Sequence, residues 1–163
     1  MRILRRRSPL PLHVKVSNRA AMAMRSAADQ AYPSETGGVL IGWRDDDCVH
    51  IDLAVEVRDP AATHTSYDRD HGLAQASIDK ALDGQPVGSP VGYAGDWHTH
   101  PAACGPSPTD VASIERVGSG TRAPVALLVV VRESPARWTL AARVAHRRRS
   151  RSATVTEEAE GST

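Results

Sequence analysis

The sequence contains no phenylalanine, and aromatic residues make up only 4% of its 163 positions. A core therefore has to be built from valine, leucine, isoleucine and alanine around three tryptophans. Cysteine is almost missing too. Cys48 and Cys104 show no motif spacing, so no disulfide framework is expected and a cytoplasmic setting follows by default. No apolar run approaches the roughly 18 residues that cross a bilayer. The opening arginines of "RILRRR" lead into "SPLPLHVKV", whose prolines and lysine do not make a signal-peptide core. A large charge of one sign is also lacking. The net charge is +1, which speaks against nucleic acid or a membrane surface as a whole-domain partner.

What is present suits one folded domain. A chain of this length can bury most of its apolar surface, and 24% charged residues is an ordinary globular content. Charge is concentrated near the ends, in "RILRRR" and "HRRRSRS". Such short basic runs read more readily as solvated arms than as nucleic-acid or lipid contacts. The closing "TEEAEGST" is acidic and small, and reads as disordered. The expected division is a basic arm over 1–9, one domain over 10–147 and a disordered tail over 148–163.

Within that domain, "LHVKVS" alternates and predicts a short strand. Ser17 or Asn18 can cap the helix "RAAMAMRSAADQA", which Pro33 stops. The run "ETGGVLIGW" predicts a buried strand entered through a close backbone approach at Gly37 and Gly38. After the turn "RDDD", "CVHIDLAVEVRD" predicts its hairpin partner. A helix is expected from about Asp70 to Gly84. Then come a strand through "SPVGYAGDWHTH", a helix from "SPTDVASIERVGSG", a strongly apolar strand "APVALLVVVRE" and its hairpin partner "ARWTLAARVAH". The fold class is α/β (α+β), a mixed sheet with flanking helices and no internal repeat.

Chemistry concentrates in "GDWHTHPAACGPSPTD". His98 and His100 are two apart at a strand end, so both imidazoles face one side. A short Gly- and Pro-rich loop can fold Asp110 back to them. Two histidines and a carboxylate are a frequent zinc set that leaves one position open. The bland alternative is equally specific. Ser107-Pro108-Thr109-Asp110 fits a capping box, in which Asp110 only starts a helix, and paired histidines also occur on plain surfaces. Spacing alone leaves both open.

The combination "ETGGVLIG", "WHTHP" and "SPTD" resembles the JAMM/MPN+ (JAB1/MPN/Mov34) metalloproteases, in particular their prokaryotic JAB branch, over roughly residues 17–145. The resemblance implies a cytidine-deaminase-like domain. It implies a Zn2+ ion on His98, His100 and Asp110, Glu35 as general base, and Ser107 as a donor to the tetrahedral oxyanion. It further implies hydrolysis of the amide or isopeptide bond after the C-terminus of a ubiquitin-like protein, in deconjugation or precursor processing. The setting would be a bacterial ubiquitin-like system, such as an antiviral locus with E1- and E2-like proteins. A second reading keeps the zinc and releases an amino acid such as cysteine from a sulfur-carrier protein. A third is a scaffold without catalysis; relatives of that kind lack ligands that are all present here.

Neighbouring residues carry weaker expectations. Trp97 and Thr99 should face away from the metal and pack. Asp96 shares the histidine face and could support it, or be a plain solvated acid. Cys104 could fill the open metal position through its thiolate, or be an exposed loop cysteine. Tyr67 and Asp68 could border a substrate groove. His50, His64, His71 and His146 have no partner at useful spacing. The substrate tail could add a strand to an exposed sheet edge.

Overall fold

The computed structural model describes residues 10–159. The basic arm expected over 1–9 lies outside the described residues, as do residues 160–163. Ten elements follow one another: β1 (His13–Val16), α1 (Asn18–Ala31), β2 (Gly37–Arg44), β3 (Cys48–Glu56), α2 (His71–Leu82), β4 (Gly92–His100), α3 (Pro108–Ser119), β5 (Val125–Ser134), β6 (Arg137–His146) and β7 (Arg149–Glu157). The fold class is α/β, as the alternating and periodic segments predict. Among the described residues no helix is long and apolar enough to cross a membrane.

Helix α1 forms because alanine dominates it and because Ser17 accepts the Ala20 amide at 3.1 Å as its cap. Ala20, Ala21, Met24, Ala27 and Ala28 are its buried stripe. Two hairpins, β2–β3 and β5–β6, form where the alternation predicts them. β4 lies between them, antiparallel to β2 and parallel to β5. α1 covers one sheet face, with Trp97, Leu128, Val130 and Val144. α2 and α3 cover the other. Ile114 of α3 packs with Val125, Leu127 and Val129, and Ala74 of α2 packs with Val39 and Val57.

Two features differ from the expected layout. The tail expected to be disordered from residue 148 is instead strand β7 over Arg149–Glu157, so the domain runs past 147. β7 pairs antiparallel with β6 and parallel with β1, which closes the order β1-β3-β2-β4-β5-β6-β7 into a barrel. Ala153 and Val155 are the residues it packs against the core, too weak a pattern to stand out among arginines and serines.

The second difference is an irregularity in β4. Gly95 pairs with Leu40 but Tyr93 with Ile41, so one extra residue is accommodated at Ala94. Gly95 has φ +145°, and a Cβ there would overlap the Ala126 carbonyl oxygen. A bulge re-aims the side chains beyond it. Tyr93 and Asp96, three apart, thereby come to one face, and the Tyr93 hydroxyl donates to Asp96 Oδ1 at 2.8 Å.

The β6–β7 connection has positive φ at both Arg147 (53°) and Arg148 (63°), a conformation that favours Asn-Gly in a two-residue hairpin. The double replacement Arg147→Asn/Arg148→Gly is expected to stabilise the protein by about 1 kcal/mol. Denaturant titration checks this, and a lower midpoint would contradict it.

Candidate metal centre

Residues 96, 98 and 100 of β4 face α2 and α3, while Trp97 and Thr99 point to the opposite side and are each 1% exposed. Gly37 of β2 pairs with His98. A Cβ on Gly37 would overlap the Trp97 carbonyl oxygen and lie 2.9 Å from His98 Cβ. Only glycine permits that approach. Glu35, two residues upstream, comes near enough for its carboxyl to feel the charges of His98, His100 and Asp110.

Asp110 arrives from the start of α3. Its amide donates to Ser107 Oγ at 3.1 Å, and the Ser107 amide donates to Asp110 Oδ2 at 2.7 Å, which completes the capping box. The same carboxylate reaches both histidines, with Oδ1 3.1 Å from His98 Nε2 and Oδ2 3.2 Å from His100 Nε2. The two Nε2 atoms are 3.1 Å apart. Helix cap and donor cluster are therefore one arrangement.

The donor set fits zinc. Ligands about 2.0–2.1 Å from a tetrahedral ion lie roughly 3.3 Å from one another, close to these separations. His100 Nδ1 is bonded to the Cys104 carbonyl oxygen at 2.9 Å, so it carries the hydrogen and leaves Nε2 as the free lone pair. The three side chains are largely buried, with 14%, 9% and 15% exposure for His98, His100 and Asp110.

Titration follows from these contacts. The hydrogen bond to Asp110 raises the His100 pKa to about 9, against the opposing effect of burial. Burial alone would push the Asp110 carboxyl up, but hydrogen bonds from His100 and His98 hold it well below its ordinary range. Burial raises Glu35, opposed by the charges of His98 and His100. A proton on His100 competes with a metal for Nε2. Apparent zinc affinity is therefore expected to fall about tenfold for each pH unit below about 9. Competition with a chromogenic chelator between pH 9 and 7 measures it, and a flat profile would contradict the assignment.

The loop before α2 walls the site. The Glu35 amide donates to the Thr63 carbonyl oxygen at 2.7 Å. The Tyr67 ring lies over Gly37, with Cε1 2.7 Å from where a Cβ would stand, and its hydroxyl donates to the Val57 carbonyl oxygen at 2.7 Å. Asp96 is no free solvated acid: it holds Arg69 of this loop at 2.9 Å. His64 lies close enough to Glu35 to lower its pKa, whereas His50 is tied to Asp45 at 2.8 Å and stacks on Trp43.

Of the two readings of Cys104, the exposed loop cysteine is the one the structure bears out. Its sulfur lies 3.7 Å from His100 Nδ1, behind the ring and away from the Nε2 that faces the other donors. What Cys104 contributes is its carbonyl. Thr99 also does more than pack: its Oγ1 accepts the Thr36 amide at 2.9 Å and its own amide donates to the Thr36 carbonyl oxygen at 2.8 Å. Strand alternation identified the face of Thr99 but not this bond.

The family described as prokaryotic homologs of the JAB domain matches residues 17–144. The chain belongs to this family. Its JAB domain is 28% identical over 135 residues to a protein of Sinorhizobium fredii named probable metalloprotease y4qB, covering 79% of this chain and 81% of that one. The solution structure of protein DSY2949 from Desulfitobacterium hafniense matches with a TM-score of 0.63 at 18% identity, covering 90% of this chain and 94% of that chain. At that identity the likeness concerns the fold of the JAB domain alone.

Proposed function

We propose that this JAB-domain protein is a zinc metallopeptidase that hydrolyses the amide or isopeptide bond after the C-terminus of a ubiquitin-like protein. The observation that carries the reading is the His98–His100–Asp110 donor cluster, whose atoms lie within 4.8 Å of one another, with Glu35 close by. The name of the Sinorhizobium relative supports the peptidase class. A cytoplasmic ubiquitin-like conjugation system, with E1- and E2-like partners, is the setting that suits such a substrate.

His98, His100 and Asp110 would hold the ion. When bound, zinc supplies Lewis acidity that polarises a carbonyl and acidifies water. Glu35 takes the proton of the attacking water and passes it to the leaving amine. Ser107 Oγ accepts from the Asp110 amide, which leaves its own O–H free to donate to the oxyanion. The backbone of β2 and the Tyr67 ring leave little room beside His98, which favours a narrow, extended substrate tail.

The test incubates wild type and Glu35→Ala with ubiquitin-like proteins carrying C-terminal extensions, with products read by mass spectrometry. Cleavage by wild type and none by the variant is expected. Cleavage that survives the substitution overturns the mechanism. Release of a single amino acid from a sulfur carrier, with ubiquitin-like fusions left intact, moves the substrate class.

A further inference from the structure

Glu35 stands outside any regular element, between the cis Tyr32–Pro33 turn and the first residue of β2. A general base in such a position needs something to hold it opposite the donor cluster. Two backbone attachments bracket it. On its own amide, the Thr63 carbonyl accepts at 2.7 Å. On the following residue, Thr36, three bonds converge. The Thr36 amide donates to Thr99 Oγ1 at 2.9 Å, the Thr36 carbonyl accepts from the Thr99 amide at 2.8 Å, and Thr36 Oγ1 donates to Glu56 Oε1 at 2.7 Å.

Thr63 is an exposed loop residue, whereas Thr36 and Thr99 are 3% and 1% exposed. Water does not compete for the buried pair, and a buried amide left without an acceptor is costly. Thr99 also lies between the two histidines on β4. One residue thus ties the base-bearing segment to the strand that carries two of the three donors, from the face opposite the cluster.

We propose that Thr99 is a positioning residue, whose side-chain hydroxyl fixes the Glu35–Thr36 segment in register with His98 and His100. The inference rests on the peptidase reading above. Glu35 acts on the proton; Thr99 touches neither substrate nor metal and acts through Thr36. A shift of the base by about 1 Å is enough to cost on the order of 100-fold in rate.

The experiment compares full-length wild type, Thr99→Val and Thr99→Ser. Three quantities are measured: exchange of the Thr36 backbone amide, zinc content, and kcat and KM on the C-terminal aminocoumarin amide of a ubiquitin-like protein. Thr99→Val is expected to speed Thr36 exchange at least tenfold and to lower kcat roughly 10- to 100-fold, with KM and zinc content within about twofold of wild type. Thr99→Ser, which keeps the hydroxyl, is expected to restore both. Thr99→Ala replaces Thr99→Val if the latter does not fold. Unchanged Thr36 exchange, or loss of activity that serine does not restore, overturns the proposal. An inactive wild type with Thr36 exchange that still depends on the hydroxyl overturns the peptidase reading and leaves the attachment standing.

Discussion

Glu35→Gln is expected to lower kcat by about 10²–10⁴-fold while zinc content stays that of wild type. Glutamine matches the shape of the side chain but cannot accept a proton as a base. None of the three donors is touched: His98, His100 and Asp110 contact one another directly. Burial raises the Glu35 carboxyl above its usual range, opposed by the two histidines. A zinc ion on the three donors would add positive charge beside this carboxyl and favour the ionised form in which the base must act. Steady-state kinetics with elemental analysis of the same preparation measures both quantities. Activity within about tenfold of wild type would remove Glu35 from the mechanism.

Gly37→Ala is expected to damage stability and activity together. The added methyl carbon overlaps the Trp97 carbonyl oxygen and meets Tyr67 Cε1 at 2.7 Å and His98 Cβ at 2.9 Å. The tyrosine ring can swing aside, but the carbonyl belongs to the β2–β4 ladder and cannot. Separation of the two strands should cost about 1–3 kcal/mol, which corresponds to a Tm lowered by roughly 2–4 °C per kcal/mol. The same separation moves Glu35 away from His98, so the rate should fall by more than the folded fraction does. A variant with wild-type Tm and kcat would show that β2 and β4 have slack at this point.

Much of the fold was legible because its signals are local. Ser107-Pro108-Thr109-Asp110 announced both a helix start and a third donor, and the structure keeps both roles in one carboxylate. The two hairpins followed from alternation, and the cap of α1 from Ser17. Where non-local pairing decides, the sequence was silent. β7 is held by ladders to β6 and β1 and by Arg25, whose guanidinium takes both oxygens of Glu157 at 2.7 and 2.6 Å. None of that is visible in a segment with two inward apolar residues. The bulge at Ala94, which lets Tyr93 reach Asp96, depends on the register of β2. The Thr36–Thr99 bond spans 63 residues, and Cys104 acts through a carbonyl that every residue possesses.

Closure of the sheet bears on how the protein fails. A β-sheet edge left unpaired is a template for another chain, and proteins guard against it. Here β7, a strand with no fully buried residue, is the one that completes the ring between β6 and β1. Opening is therefore most easily started at that seam, and it bares two strands at once. Aggregation on mild heating should begin from molecules that have released β7 while the donor cluster, on β4 and α3, is still assembled.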